Sequence, residues 1–481
     1  MTSKEIEENN EKIEDFIIQR YRTRKLSDKD KNKILLTADT GAWTEITDEE
    51  FSQIKSGLYS SHLFNNLKTK GIIVTPDNHK TVISDYAKRY HFLLQGPSLH
   101  IIIPTLRCNH KCIYCHSSAR PGDEKNSDMT EETADKIVNL IFQTSSNALT
   151  IEFQGGEGLL NFNILKYIAK KAIEKNVESK KQLRFDLVTN LSALDNEKIE
   201  WIAENQINVC TSLDGPKHVH DKNRLLEGGR SSYDQVMLGM KKLREKGIGV
   251  SALMVTTRHS LNHSKEIIDE YISLGLPMIQ LKYLSRLGFA DKNWDHYGYT
   301  PDEFINFWKE SMDYIIDLNK KGVVIKERLV VIMLKKILGK YDPGFVDMRS
   351  PCGAVIGQIA YNYDGKIYSC DEGRNFDLFM VGDVKLHSLR DIFGFEKTKN
   401  IISSSINDSF LCDVCAYKPY CGTCPVLNYA EHGNIVPKLP KNSRCKIQKF
   451  QFDYVFSKLL FDEKAREVLF SWIKPKEEKR K

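Results

Sequence analysis

Long apolar runs are absent from this 481-residue chain. None approaches the roughly 18 to 20 residues that cross a bilayer as a helix; the longest are strand-sized, so no segment is a candidate membrane span. The N-terminal stretch MTSKEIEENNEKIEDF is charged and has no apolar signal region, and a cytoplasmic location is the expectation. An excess of one charge is missing too. The 70 Lys and Arg against 64 Asp and Glu leave a net +6. No long basic block stands out except the tail Lys474 to Lys481, which also carries Glu477 and Glu478. Nucleic-acid binding is therefore not indicated, and the tail reads as a frayed, solvated end. What is there, 41% hydrophobic and 28% charged, is ordinary globular material for two or three domains.

The chain is rich in cysteine, with eleven. Clustered cysteines in a chain without a secretion signal read as metal ligands rather than disulfides. The most informative run is Cys108-Asn109-His110-Lys111-Cys112-Ile113-Tyr114-Cys115, spaced C-x3-C-x2-C, directly after the strand-like stretch His100 to Leu106. Three thiolates this close can hold three corners of one iron–sulfur cube. The fourth iron stays open to a small molecule, and Tyr114 sets an aromatic face beside it. Half a zinc site is the alternative, with His110 or His116 as a further ligand. Cys210 stands alone in the strand-like run Ile207 to Leu213 and reads as a small buried hydrophobe.

From about residue 98 the chain alternates short apolar runs with helical patterns. The expected strands are Leu99–Leu106, Ala148–Gln154, Leu183–Thr189, Ile207–Leu213, Ile248–Thr256 and Met278–Leu284. Ala134, Ile137, Val138 and Ile141 recur at helical spacing, and Asp128 with Glu131 reads as the capping box that starts that helix. Such βα alternation implies a parallel sheet with right-handed crossovers, and six units fit an open barrel. In barrels of this kind the chemistry sits at the C-terminal strand ends. Gln154-Gly155-Gly156-Glu157 follows the second strand: the glycines let backbone approach a ligand, and the glutamate can accept from an ammonium group. Thr189 and Asn190 follow the third strand. Ser212-Leu213-Asp214-Gly215 and then Arg224 follow the fourth, and Arg224 suits a carboxylate. Asn190 and Asp214 are equally explained as turn residues. Tyr283, near the sixth strand end, is expected to pack.

The cysteine triad followed one unit later by Gly-Gly-Glu resembles the radical S-adenosylmethionine (SAM) superfamily. The resemblance implies a partial (β/α)6 barrel in which the open iron chelates SAM. It also implies that Tyr114, Gln154, Gly155, Gly156, Glu157, Asn190, Ser212 and Arg224 surround that cofactor. Further on, Cys352, Gly365 and Cys370 give C-x12-G-x4-C, and Cys412, Cys415, Cys421 and Cys424 give C-x2-C-x5-C-x2-C, with Cys445 beyond. This resembles the SPASM extension of radical SAM peptide- and protein-modifying enzymes, although the last gap is one residue shorter than the usual pattern. The resemblance implies two auxiliary [4Fe–4S] clusters, one on Cys412, Cys415, Cys421 and Cys445, the other on Cys352, Cys370 and Cys424. Where some relatives add a further cysteine this chain has Gln358, so the second cluster would have an open iron or a non-cysteine ligand. A structural zinc ribbon is the alternative. Asp371, directly after Cys370, matches an aspartate that acts as general base in anaerobic sulfatase maturases; it is equally explained as a loop residue.

Residues before about 95 hold no chemistry. A hairpin-like stretch Lys33 to Ile46, a helix from Thr47, a second near Ser60 to Lys70 and a strand Gly71 to Val74 suit a small winged-helix module or an α+β cap. The former resembles the leader-peptide recognition domains of peptide maturases, which add a peptide strand to a sheet edge. Over most of its length the chain resembles the radical SAM maturases of the His-Xaa-Ser system, in particular the B type. The resemblance rests on GPSLHIIIPTLRCNHKCIYC (96–115), LTIEFQGGE (149–157), TSLDGP (211–216), VSALMVTT (250–257) and YNYDGKIYSCDEGR (361–374). The expected division is 1–95 winged-helix-like, 96–330 radical SAM barrel, 331–460 auxiliary-cluster domain and 461–481 C-terminal helix and tail. The implied reaction is reductive cleavage of SAM to a 5′-deoxyadenosyl radical and hydrogen abstraction from a ribosomally made precursor peptide, giving a cross-link, epimerisation or oxidation. An electron donor such as flavodoxin or ferredoxin is implied. Formylglycine formation on a sulfatase is the alternative, and a non-catalytic zinc-bound scaffold is the alternative of another class.

Overall fold

The structure, a computed structural model, describes residues 15–474; all of the basic tail but Lys474 lies outside the described residues. The chain opens with an antiparallel meander of β1 (Tyr21–Asp28), β2 (Lys31–Ala38) and β3 (Trp43–Ile46). The expected hairpin is β2 and β3. The strand β1 goes unread in the sequence because it is rich in charge, and in the fold its Arg22 and Arg24 meet carboxylates far along the chain, Asp413 and Asp453. Next comes α1 (Asp48–Ser56), started by a capping box between Thr47 and Glu50 and stopped by Gly57 in the left-handed conformation. Then follow α2 (Ser61–Thr69), capped by Ser60, and α3 (His79–Arg89), which the sequence pattern does not announce. Between them Ile73–Val74 pairs with Ile17–Ile18. Ile34, Leu36, Ala38 and Ile46 close over Ile54, Leu63 and Leu67 in a separate small core.

Six parallel strands follow in sequential order: β4 (Leu99–Ile102), β5 (Ala148–Phe153), β6 (Gln182–Thr189), β7 (Asn208–Ser212), β8 (Val250–Val255) and β9 (Leu281–Lys282). Helices α4 (Glu131–Ile141), α5 (Phe162–Ser179), α6 (Asn196–Glu204), α7 (Tyr233–Glu245) and α8 (Ser264–Ser273) cover one face. Leu149, Ile151 and Phe153 bury on that face, as do Ala134, Ile137, Val138 and Ile141 of α4. The start of α4 differs from expectation. Thr130 is its cap, accepting from the Thr133 amide, because Asp128 is bound bidentately by Arg107.

The other face of the sheet, alternating in register, carries Thr150, Glu152, Asp186, Cys210, Ser251 and Lys282 and lines the inside of the curve. Cys210 belongs to this half-buried lumen face, beside Glu152 and Asp186, and not to the apolar core. Two long helices, α9 (Pro301–Lys320) and α10 (Arg328–Leu338), lead out of the barrel. The sheet then continues past β4: β10 (Gln358–Tyr361) lies parallel to it with Gln358 opposite Leu99, and β11 (Lys366–Tyr368) and β12 (Met380–Asp383) follow antiparallel. Helices α11 (Pro425–His432), α12 (Ser443–Phe461) and α13 (Glu463–Ile473) complete the described chain. No helix among the described residues is long and apolar enough to cross a membrane.

Candidate active site at two cysteine loops

Cys108, Cys112 and Cys115 sit on the loop that leaves β4. Arg107 anchors it: its guanidinium holds both oxygens of Asp128 at 2.8 Å and reaches the Gly122 and Leu160 carbonyls. His110–Cys112 pairs antiparallel with Arg224–Leu226, which sets Arg224 opposite Cys112. Burial, and then the neighbouring sulfurs, push the Cys108 thiol well above its usual value; burial lifts Cys112 to about 11. Sulfurs in this state hold protons until a cation displaces them.

The glycines of Gln154-Gly155-Gly156-Glu157 are held against the chain's own backbone. A Cβ on Gly155, which sits at φ +124, would stand 2.5 Å from the Thr105 carbonyl; one on Gly156 would stand 2.1 Å from the Arg107 carbonyl. The close approach is to the backbone leading into the cysteines. The Gly156 amide donates to Thr105 O (3.0 Å) and the Glu157 amide to Arg107 O (2.7 Å). The Glu157 carboxylate is buried and accepts from the Leu159 amide, Thr189 Oγ1 and the Asn190 amide. It therefore ties the ends of β5 and β6 together, and burial raises its pKa. Gln154 bonds to Glu152. Gly156→Ala is expected to destabilise the protein by about 1–3 kcal/mol through overpacking and to lower bound iron, read by thermal melting and iron analysis of one preparation.

Asn190 donates to Asn109 Oδ1 (2.9 Å) and points Nδ2 at Cys108 Sγ (3.8 Å), while Ser192 closes on it and on His110. The hub on the next strand end is Asp214, fully buried. It accepts from Tyr114 Oη (2.6 Å), Asn223 Nδ2 (3.2 Å), Arg224 Nε (3.1 Å) and the Val255 amide (3.1 Å). Arg224 lies over the Tyr114 ring at 5.0 Å and aims Nη1 at Cys112 Sγ (3.8 Å). Ser212 stands half-buried at the end of β7. The sequence singles out Asp214 no more strongly than a turn residue would; the aspartate inside TSLDGP is the signal.

The C-terminal cysteines fall into two neighbourhoods. The Cys370 thiol is raised by burial and by the Cys424 and Cys352 sulfurs near it. Cys421 is raised by burial and by Cys415, Cys445 and Cys412. The short gap between Cys421 and Cys424 thus still sends them to opposite sets. Sulfurs around one zinc ion stand about 3.8 Å apart, given Zn–S bonds of roughly 2.3 Å. Among the described residues no cysteine group, with or without a histidine, is drawn within 4.8 Å; the group that is consists of His218, His263 and Glu266. His110 is bonded through Nε2 to Ser192, and His116 through Nε2 to Asp371. Gln358 is buried in β10 and donates to Asp347.

The two cysteine loops touch. His116, next to Cys115, meets Asp371, next to Cys370, at 2.7 Å, and Arg374 clamps Asp371 Oδ1 and Ser117 Oγ. Burial opposes the charge on Asp371, but His116 and Arg374 overcome it and hold the carboxyl well below the usual carboxylate range. Tyr283 packs edge-on against Phe304, as expected, but its hydroxyl also accepts from Arg444 (3.3 Å). Its ring lines a small pocket with Arg286, Trp294, Glu431 and Arg444.

In the lumen, burial lifts Glu152 from 4.5 to about 7, helped by Asp186 and Asp371. Below 4.5 the group is protonated in folded and unfolded chains alike. Between 4.5 and about 7 the unfolded chain ionises first, so stability falls as pH rises and the loss is complete above 7. Glu152→Gln is expected to leave stability unchanged near pH 4.5 and to raise it by about 1–3 kcal/mol at pH 8, measured by denaturant unfolding at both pH values.

Residues 102–276 match the sequence model of the radical SAM superfamily. The cysteine-type anaerobic sulfatase-maturating enzyme of Clostridium perfringens is 24% identical over 362 residues, 73% of this chain and 94% of that protein. The solved structure of native anSMEcpe with bound AdoMet superposes with a TM-score of 0.66 at 19% identity, covering 78% of this chain and 99% of that one. Streptococcus suis SuiB bound to its precursor peptide SuiA gives 0.55 at 14% identity, over 88% of this chain and 98% of that one. The triad Cys108, Cys112 and Cys115 and the Gly-Gly-Glu strand end lie inside the matched segment, so the chain carries a radical SAM domain over residues 102–276, followed by a cysteine-rich C-terminal region consistent with a SPASM extension.

Proposed function

We propose that the protein modifies a ribosomally made peptide or protein by radical chemistry, with SAM held at the first cysteine loop and two auxiliary clusters at the C-terminal cysteines. The observation that carries this reading is the contact between the loops at His116 and Asp371. It brings an auxiliary thiol set beside the SAM-cluster set, as needed when a substrate carbon loses a hydrogen atom and then an electron. When bound, the cluster supplies the electron that splits SAM into methionine and a 5′-deoxyadenosyl radical, the species that abstracts hydrogen. The chain's own residues position it. Cys108, Cys112 and Cys115 hold the cluster; Tyr114, Gln154, Gly155, Gly156, Glu157, Asn190, Ser212 and Arg224 shape the SAM site. Glu157 Oε2 accepts one protein hydrogen bond and keeps a lone pair for an ammonium group. Asp371, kept ionised by its contacts with His116 and Arg374, is a weak base and serves better to fix the two loops than to take a proton.

The finer assignment, a B-type maturase of the His-Xaa-Ser system with a flavodoxin or ferredoxin as donor, rests on the five strings named above; a cytoplasmic location rests on the charged N-terminal stretch. The role of residues 1–95 as a leader-peptide module rests instead on the order of hairpin, helices and strand there. The second reading, formylglycine formation, is favoured by one observation: the match extends over 94% of the length of the Clostridium perfringens sulfatase-maturating enzyme. Anaerobic incubation of the reconstituted protein with dithionite and SAM is expected to give 5′-deoxyadenosine. A peptide carrying the cysteine or serine of a sulfatase site is expected to stay free of aldehyde. Aldehyde would replace the first reading by the second, and absence of 5′-deoxyadenosine would remove both.

A further inference from the structure

The loop bearing Cys412, Cys415 and Cys421 is gripped from outside by the N-terminal domain. Three of its backbone carbonyls accept from three side chains of that domain. Arg22 Nε donates to Asp413 O at 2.7 Å. Thr37 Oγ1 donates to Ala416 O at 2.8 Å, fully buried. Arg89, at the end of α3, donates to Pro419 O through Nε and Nη2 at 3.3 and 3.1 Å, and to Lys336 O at 3.0 Å. The grip is reciprocal, since Tyr420 Oη donates to Gly41 O at 3.0 Å.

Each partner is built into place. Arg22 and Arg89 are only 3% and 5% exposed. Arg22 is held at its other end by Asp39 at 2.7 Å. The Arg89 guanidinium lies 5.2 Å over the Tyr420 ring and against the bare face of Gly41, where a Cβ would meet its Cζ at 2.1 Å; Gly41 itself sits at φ +78. β2 is therefore buried on both faces. Ile34, Leu36 and Ala38 pack on the domain's own helices, while Leu35 joins the main core and Thr37 reaches Ala416. Arg24 adds a bidentate pair with Asp453 on α12, and Tyr417 bonds to the same carboxylate.

A loop that wraps a cluster has few regular backbone partners, and a buried carbonyl without a donor is costly. Here the N-terminal domain supplies the donors at Asp413, Ala416 and Pro419, in among three cysteines of one set. We propose that the N-terminal domain forms the outer wall of this auxiliary cluster site, and that Arg22, Thr37 and Arg89 are positioning residues for its ligand loop. The inference rests on the assignment of Cys412, Cys415, Cys421 and Cys445 as one ligand set. It goes beyond that assignment by making a domain without any metal ligand a part of the metal site. A displacement of β1 and β2 would move three carbonyls of the cluster loop at once, so events at the N-terminal domain are felt at this cluster.

The test uses full-length protein reconstituted anaerobically with iron and sulfide, compared with Arg89→Ala, Arg89→Lys and Thr37→Val. Iron content and the EPR spectrum of the dithionite-reduced protein are read alongside 5′-deoxyadenosine formation. Arg89→Ala is expected to lose about four irons per chain and one auxiliary EPR signal while still cleaving SAM. Arg89→Lys is expected to recover part of both. Thr37→Val, which keeps shape and removes one donor, is expected to alter that same signal and no other. Wild-type iron and spectra in both Arg89→Ala and Thr37→Val would overturn the inference alone. A wild-type protein holding only the four irons of the SAM cluster would overturn the ligand-set reading, and the inference with it.

Discussion

Cys112→Ala is expected to abolish 5′-deoxyadenosine formation, down to the level of a protein-free control, while about eight of roughly twelve irons stay bound. The selectivity follows from the separation of the thiol sets. Cys112 neighbours Cys115 and Arg224, and the auxiliary cysteines neighbour one another. Removing one of three thiolates leaves two protein thiolates for a cube that already has an open corner. A fold-stability explanation is separable. Cys112 lies on a short pairing with Arg224 and outside the apolar core, so circular dichroism is expected to be unchanged. Iron analysis and product assay on one anaerobic sample check the prediction; loss of all iron together would show the sets to be interdependent.

Asp214→Ala is expected to cost about 3–5 kcal/mol of stability, the range for breaking a buried pair from one side, and to stop SAM cleavage. Asp214 is fully buried and takes four donors, one of them the guanidinium of Arg224. Burial disfavours the Arg224 charge, and Asp214, Tyr114 and Cys112 outweigh it. Without the carboxylate a guanidinium 11% exposed on its side chain loses its counter-ion, and the Tyr114 hydroxyl and Asn223 amide lose their acceptor. Tyr114 and Arg224 flank the cysteine loop, so the defect spreads to the site. Asp214→Asn keeps an acceptor without the charge and is expected to fall between the two. Chemical denaturation gives the first effect and the product assay the second.

Much of this arrangement is legible in the sequence because its signals are local. The triad spacing, the apolar alternation of β5 and β6 and the stripe Ala134, Ile137, Val138 and Ile141 each lie within a dozen residues, and all stand where they were expected. What the sequence hides depends on distant partners. Asp128 looks like a helix cap until Arg107 is placed against it. β1 looks like a solvated segment until Asp413 and Asp453 are brought to its arginines. Gly155 and Gly156 read as a site of close approach, but that the carbonyls of Thr105 and Arg107 leave no room for a side chain there is not evident from the sequence. Cys210 is apolar by type, but strand parity turns it to the lumen, beside Glu152. The contact of His116 with Asp371 has no trace in the sequence beyond the position of each next to a cysteine.

The most direct test of the central claim, an open iron on Cys108, Cys112 and Cys115 that takes SAM, is Mössbauer spectroscopy of protein reconstituted with 57Fe, recorded with and without SAM. The account predicts that one iron site changes its isomer shift when SAM is added and that the change is missing in Cys112→Ala. Spectra that SAM leaves untouched, in a protein whose cysteines carry iron, would contradict it.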